Sequence, residues 1–138
     1  MYFTGSFGKH LDILKRTMDV AVLRGDVIAN NIANSDTPNF KRSVVNFESQ
    51  LKRALDSEHV KPFPVLMTDP RHIPFRRPMD YREVQPHVVW DHLTTSKNNG
   101  NNVDIEQESM DRLQNQLLYT TLAQAVSHSI GQVNIVLR

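Results

Sequence analysis

The sequence predicts a mainly α-helical protein: two long terminal helices form an antiparallel, coiled-coil-like hairpin around an irregular, Pro-rich central excursion containing short strands. Three observations carry this reading. Apolar residues recur at steps of three and four near both ends of the chain. Six of the seven prolines fall between Pro62 and Pro86, where no helical period exists. An Asn-rich connector, residues 96–102, precedes the second periodic stretch. The expected division is residues 1–60 (N-terminal helix, turn motif and short second helix), 61–103 (Pro/Asn-rich central region) and 104–138 (C-terminal helix), the two terminal helices making one domain.

From about Gly8 to Ala33 the apolar positions are Leu11, Leu14, Met18, Ala21, Ile28 and Ile32, with Gly25 filling one slot of a heptad seam. Val22 and Ala29 lie beside the seam, while Lys9, Asp12, Lys15, Arg16, Asp19 and Asp26 lie largely off it, so the helix is amphipathic. Gly25 costs roughly 1 kcal/mol relative to Ala, which points either to a bend or to a second backbone passing close by. The helix is expected to end near Asn34, a residue that tolerates the left-handed conformation of a C-terminal cap, because Thr37-Pro38 turns the chain extended. Pro38-Asn39 reads as a turn, Val44, Val45 and Phe47 as a brief extended piece, and Phe47, Leu51, Ala54 and Leu55 as a short helix.

The central region reads as loop with short strands, one of them Val88-Val89-Trp90. In the connector, Gly100 and its Asn neighbours can take positive φ, and flexibility is expected. Asp104 then opens the second long helix, with Gln107 in capping-box position and Glu106 and Glu108 at the positive end of the helix dipole. Leu113 and Leu117 form one stripe; Leu118, Leu122, Val126, Ile130, Val133 and Leu137 form another. At 1.5 Å per residue the helices reach ~39 Å and ~50 Å, too long and too thinly apolar to make a globule by themselves.

The composition agrees. With 138 residues, 39% of them hydrophobic and 7% aromatic, the chain has room for one domain and little material for a large core, so partners are expected to supply the missing burial. A formal net charge of +1 removes any global case for nucleic-acid or membrane attraction. Without cysteine there is no disulfide framework, thiolate site or thiol nucleophile. The N-terminus does not read as a secretory signal, and no apolar run approaches the ~20 residues of a bilayer span, so direct membrane insertion is not expected. A cytoplasmic location follows unless a route without cleavage exports the chain.

Catalytic and metal chemistry find little support. His10, His59, His72, His87, His92 and His128 lack the short pair spacings of zinc sites, and no cofactor or metal is expected. Ser6, Ser35, Ser43 and Ser96 lack a nucleophile-elbow context, no phosphate-binding glycine loop occurs, and dipole compensation accounts for Glu106 and Glu108. The stretch with Arg71, Arg76, Arg77 and Arg82 interleaved with Phe75 and Tyr81 formally resembles a single-stranded nucleic-acid binder. With the near-neutral total charge, polar contacts between protein subunits are the better reading.

The run Ala29-Asn30-Asn31-Ile32-Ala33-Asn34-Ser35-Asp36-Thr37-Pro38-Asn39-Phe40-Lys41 resembles the signature of the bacterial flagellar rod and hook axial family. Two further segments, Arg71-His72-Ile73-Pro74 and Gly100-Asn101-Asn102-Val103-Asp104-Ile105-Glu106 leading through Asn115 and Tyr119, resemble its short B-type proximal rod members in particular. The family usually has Gly-Tyr where this chain has Asn39-Phe40; Asn is next best at positive φ, and Phe keeps the ring without the phenolic hydroxyl.

The resemblance implies a non-enzymatic structural subunit of the proximal rod, at the junction between inner-membrane ring and rod. It would leave the cell by the flagellar type III system without a cleaved signal and reside in the periplasmic part of the basal body. Implied partners are copies of itself, other rod proteins, and inner-membrane ring and export-gate proteins. Leu11, Leu14, Met18, Ile28 and Ile32 are expected to pack with Leu117, Leu122, Val126, Ile130 and Val133 as the assembly interface. Asn30, Asn31, Asn34, Thr37, Pro38 and Phe40 form the family turn, and Arg71, Arg76, Arg77 and Arg82 are candidates for lateral contacts. Two other classes stay open: a helical-hairpin adaptor or export chaperone, and a nucleic-acid-binding module.

Overall fold

The computed structural model describes residues 5–60, 68–69, 71–73, 79–95 and 97–137. Most of the proline cluster, from Pro62 to Pro78, lies outside them, as do Arg76 and Arg77. The elements in chain order are α1 (Ser6–Ala33), β1 (Ser43–Asn46), α2 (Glu48–His59), a 3-10 turn (Tyr81–Glu83), β2 (His87–Trp90) and α3 (Ile105–Val136). The chain forms two compact units, one of residues 1–45 with 88–138 and one of residues 46–87.

In the first unit α1 packs along α3. The two run in opposite directions, since Asn31 near the end of α1 meets Glu108 in the first turn of α3, and Ala21 meets Asn115 further along. Val20, Ala21, Ile28, Val45 and Val103 are its buried apolar side chains. The β1–β2 pair is antiparallel, because the Asp91 amide donates to the Arg42 carbonyl at 2.9 Å just outside the first residue of one strand and the last of the other. Val88, Val89 and Trp90 do occupy a strand, though every residue of it is exposed.

The second unit is built on α2. Phe47 is its N-cap and is 1% exposed; Leu51 and Ala54 follow at steps of four and three, so all three share the face that is buried. That face packs against the 3-10 turn, whose Tyr81 and the adjoining Val84 are buried. The turn is held at its start by Asp80, which accepts the Arg82 amide at 2.9 Å, and at its approach by Met79, whose amide donates to Ser57 Oγ at 3.0 Å.

Three local expectations need correction. Asn34 does cap α1, but at φ −102°, outside the left-handed region; the left-handed residues are Asn39 (φ 59°) and Gly100 (φ 80°). Asp104 caps α3 by accepting from the Glu106 amide at 2.9 Å and, at 3.5 Å, from the Gln107 amide. The Gln107 side chain, however, bonds Asp111 at 2.9 Å instead of completing a reciprocal box. Gly25, finally, is approached by a side chain and not by a second backbone. The Asn115 amide donates to the carbonyl of Ala21, one helical turn before Gly25, and a Cβ on Gly25 would sit 3.5 Å from Asn115 Nδ2, an ordinary contact.

Because that contact leaves room for a methyl group, Gly25→Ala should raise stability by about 0.5–1 kcal/mol, seen as a higher midpoint in urea. Phe47→Ala should lower it by about 3–5 kcal/mol, whereas Val22→Ala, at an exposed helix position, should change it by less than about 0.5 kcal/mol.

Candidate functional site

The family-like run at the end of α1 and the Asn-rich connector before α3 are far apart in sequence and are bound to each other in space. Asn101 is the centre of the join. Its Nδ2 lies 2.9 Å from the carbonyl oxygens of Asn34, Ser35 and Thr37, and its Oδ1 accepts the Val103 amide at 2.6 Å. An asparagine offers both donors and acceptor on one planar group, so it can bind the turn's carbonyls on one side and a backbone amide on the other. Asn101 is completely buried and Asn102 nearly so, so the end of the connector belongs to the first unit's interior while Asn98 and Asn99 stay exposed.

Around it the contacts are reciprocal. The Asn39 amide donates to the Asn99 carbonyl at 3.0 Å. Lys41 reaches across to the Gly100 carbonyl at 2.9 Å, and Lys97 returns the gesture to the Ser35 carbonyl at 2.8 Å. A Cβ on Gly100 would fall 2.6 Å from Asn39 Oδ1, so the Asn39 side chain would have to move, and φ 80° would strain any side chain there. Asn39 supplies the left-handed residue where the family usually places Gly, which keeps the turn. Phe40 next to it is half-buried.

A second layer joins α1, β1 and α3. Asn31, fully buried, pairs with the backbone of Ser43 in both senses: Nδ2 donates to the carbonyl at 2.9 Å and Oδ1 accepts the amide at 3.0 Å. The same Nδ2 is 3.2 Å from Glu108 Oε2. Glu108 is 1% exposed, and its other oxygen accepts from Arg42 Nε at 2.6 Å, while Arg42 Nη2 binds Asp111 at 2.9 Å. Dipole compensation alone therefore does not account for Glu108: it is a buried anion held by a guanidinium and an amide, the arrangement that makes burial of a carboxylate tolerable. Asn102 completes the layer, accepting the Arg42 amide at 2.6 Å and donating to the Asp91 carbonyl at 2.8 Å. The Asp91 carboxyl is held below its ordinary pKa first by the Thr94 hydroxyl and then by the Leu93 amide. An open cleft of about 310 Å³ lies alongside, lined by Arg24, Ile28, Arg42, Glu108 and Asn115 among others; the buried Asn115 Oδ1 finds no partner among the described residues.

The ten apolar positions of the expected interface divide by exposure. Ile28 is buried; Leu11, Leu14, Met18, Ile32, Leu122, Val126 and Val133 are half-buried; Leu117 and Ile130 are at least half exposed. Leu113, Ile135, Val136 and Leu137 are exposed as well, so the apolar residues of α3 are not all gathered on the face that meets α1. In the turn motif Asn34 Nδ2 donates to the Asn30 carbonyl at 2.8 Å, Thr37 Oγ1 lies 3.4 Å from Asn34 Oδ1, and Pro38 and Asn30 are exposed. Arg71 is exposed, and Arg82 lies 5.5 Å from the centre of the Tyr81 ring. Periodicity missed Asn101, Asn102, Arg42 and Glu108 because polar residues leave no apolar period; the signal available was the density of Asn on both sides of the join.

Arg42→Ala leaves Glu108 buried without its cation and should cost about 3 kcal/mol or more. The pair Arg42→Met with Glu108→Gln should recover much of the loss, and a double-mutant cycle in urea measures the coupling.

A family model described as flagella basal body rod protein matches residues 17–41, which run from the middle of α1 through the turn to Lys41. The chain is 41% identical over 132 residues to the flagellar basal body rod protein FlgB of Borreliella burgdorferi, spanning 96% of this chain and 98% of that protein. The corresponding protein of Borrelia hermsii is 39% identical over the same shares. That of Bacillus subtilis is 31% identical over 95% of each chain. With identity of this degree over nearly the whole length, the chain belongs to the FlgB family of flagellar basal body rod proteins, structural components and not enzymes.

Proposed function

We propose that this rod protein polymerises through its two terminal helices at the junction between the inner-membrane ring and the rod. The observation that carries the reading is the apolar surface of α3. Leu113, Leu117, Ile130, Ile135 and Val136 along this helix of 32 residues, and Leu137 at its cap, are all at least half exposed. Burying a leucine or isoleucine side chain contributes about 1.5–3 kcal/mol, so a row of them leaves a strong drive toward neighbours. Leu11, Leu14, Met18, Ile28 and Ile32 of α1 pack with Leu117, Leu122, Val126, Ile130 and Val133 within and between subunits, in a coiled-coil-like wall made by residues of the 1–60 and 104–138 segments.

Within that wall the turn of Asn30, Asn31, Asn34, Thr37, Pro38 and Phe40 sets the angle at which the chain leaves α1. Arg71, Arg76, Arg77 and Arg82 make lateral polar contacts with adjacent rod subunits or the ring. The chain reaches its periplasmic place through the flagellar type III system, passing the export-gate proteins without a cleaved signal. Other rod proteins are its neighbours along the axis. These assignments rest on the family resemblance and on the exposed apolar positions together.

Leu117→Asp tests the interface without testing the monomer. Since Leu117 is 57% exposed, the variant should keep its urea midpoint within about 1 kcal/mol of the parent's stability while failing to enter purified basal bodies and leaving cells non-motile. Incorporation at the parent's level would overturn the proposed interface. Hydrogen exchange on the dilute monomer adds a second check: amides of residues 130–137 should exchange nearly unprotected, and strong protection there would favour a self-sufficient hairpin adaptor.

A further inference from the structure

Asn99-Gly100 is the one place in the sequence where Asn precedes Gly. Glycine has no side chain to shield its amide nitrogen, so this dipeptide is the most exposed to attack by the backbone on the neighbouring carboxamide. At the join the turn favours glycine at position 100: φ is 80° there, and a Cβ would lie 2.6 Å from Asn39 Oδ1, which would have to move. The same join ties up both reacting groups. The Gly100 amide donates to the Lys97 carbonyl at 3.1 Å, and the Asn99 carboxamide oxygen accepts the Asn101 amide at 3.1 Å. Asn99 itself is exposed, so water and base reach it.

We propose that Asn99 is a site of spontaneous deamidation that the closed asparagine join holds unreacted, so that modification records time spent with the join open. In the step, solvent base takes the Gly100 amide proton and the nitrogen attacks Asn99 Cγ. The new C–N bond closes a cyclic imide, and the side-chain nitrogen, protonated, leaves as ammonia. Water then adds to either ring carbonyl and one C–N bond breaks, giving Asp or its isomer in which the main chain runs through the former side chain. Water enters, ammonia leaves and nothing is oxidised. The isomer lengthens the backbone between residues 99 and 100 by one atom, which displaces the Asn99 carbonyl from the Asn39 amide and prevents the join from closing as before.

The full chain is incubated at mildly alkaline pH in native buffer and, in parallel, in concentrated urea, then cut by trypsin after Lys97 and Arg112. Fragmentation of the peptide of residues 98–112 locates any replacement of NH2 by OH. In urea, residue 99 should react first and yield two chromatographically separate isomers. In native buffer the rate should be at least about ten-fold lower. Asn101→Ala, with its helices confirmed by circular dichroism, should bring the native rate close to the urea rate; Lys41→Ala, which removes part-buried and exposed ties to the Gly100 and Thr94 carbonyls and leaves Asn101 in place, should raise it less. Equal rates in the two solvents for the parent, first reaction at another asparagine in urea, or an unchanged native rate in Asn101→Ala would each overturn the proposal.

Discussion

Everything in the first unit depends on one buried side chain, Asn101, which donates to the carbonyls of Asn34, Ser35 and Thr37 in the turn that leaves α1. Helix ends carry four unsatisfied carbonyls, and a chain that stops a helix and turns at once must find donors for them or expose them to water. Here the donor comes from the segment immediately before α3. The end of the first helix therefore fixes the start of the second, and with it the depth at which α3 lies against α1. The Asn31–Ser43 pair and the Arg42–Glu108 ion pair extend the same join outward to β1 and to the first turn of α3.

Such a join divides the labour between specificity and adhesion. The apolar contact between α1 and α3 is non-directional and would tolerate sliding by a turn. A buried carboxylate matched to one guanidinium, and an amide matched to three carbonyls, tolerate no slide at all, because each displaced group would be left buried and unpaired. The polar layer sets register; the apolar seam supplies attraction. Beyond the join α3 continues with apolar residues that α1 does not cover, so the part with fixed register and the part with open surface belong to the same helix.

Much of this architecture was legible in the sequence. The three-four spacing marked α1 from Leu11 to Ile32, Asp104 marked the start of α3, and Val88 to Trp90 marked a strand. What could not be read was long-range and polar. Ser96 to Asn102 looked like a flexible linker because Asn and Gly are turn formers whatever they contact; the partner turn of residues 34–39 is what makes Asn101 interior. Glu108 looked like a surface carboxylate because its cation, Arg42, is 66 residues away. The stripes of α1 and α3 were visible as apolar, but periodicity carries no information on which neighbour covers which residue.

Asn101, and the bonds that Asn31 and Asn102 make to backbone groups, bring no ionisable group of their own to the join. Asn31, Asn101 and Asn102 hold their partners through neutral amides, and protons and counterions act on charges. Concentrated salt would screen the partly exposed Arg42–Asp111 pair and the lysine ties while leaving the amide-to-carbonyl geometry untouched. The share of the elbow that Asn101 holds is thus insensitive to ionic strength by its own chemistry, whereas the share held by Arg42 and Glu108 is not.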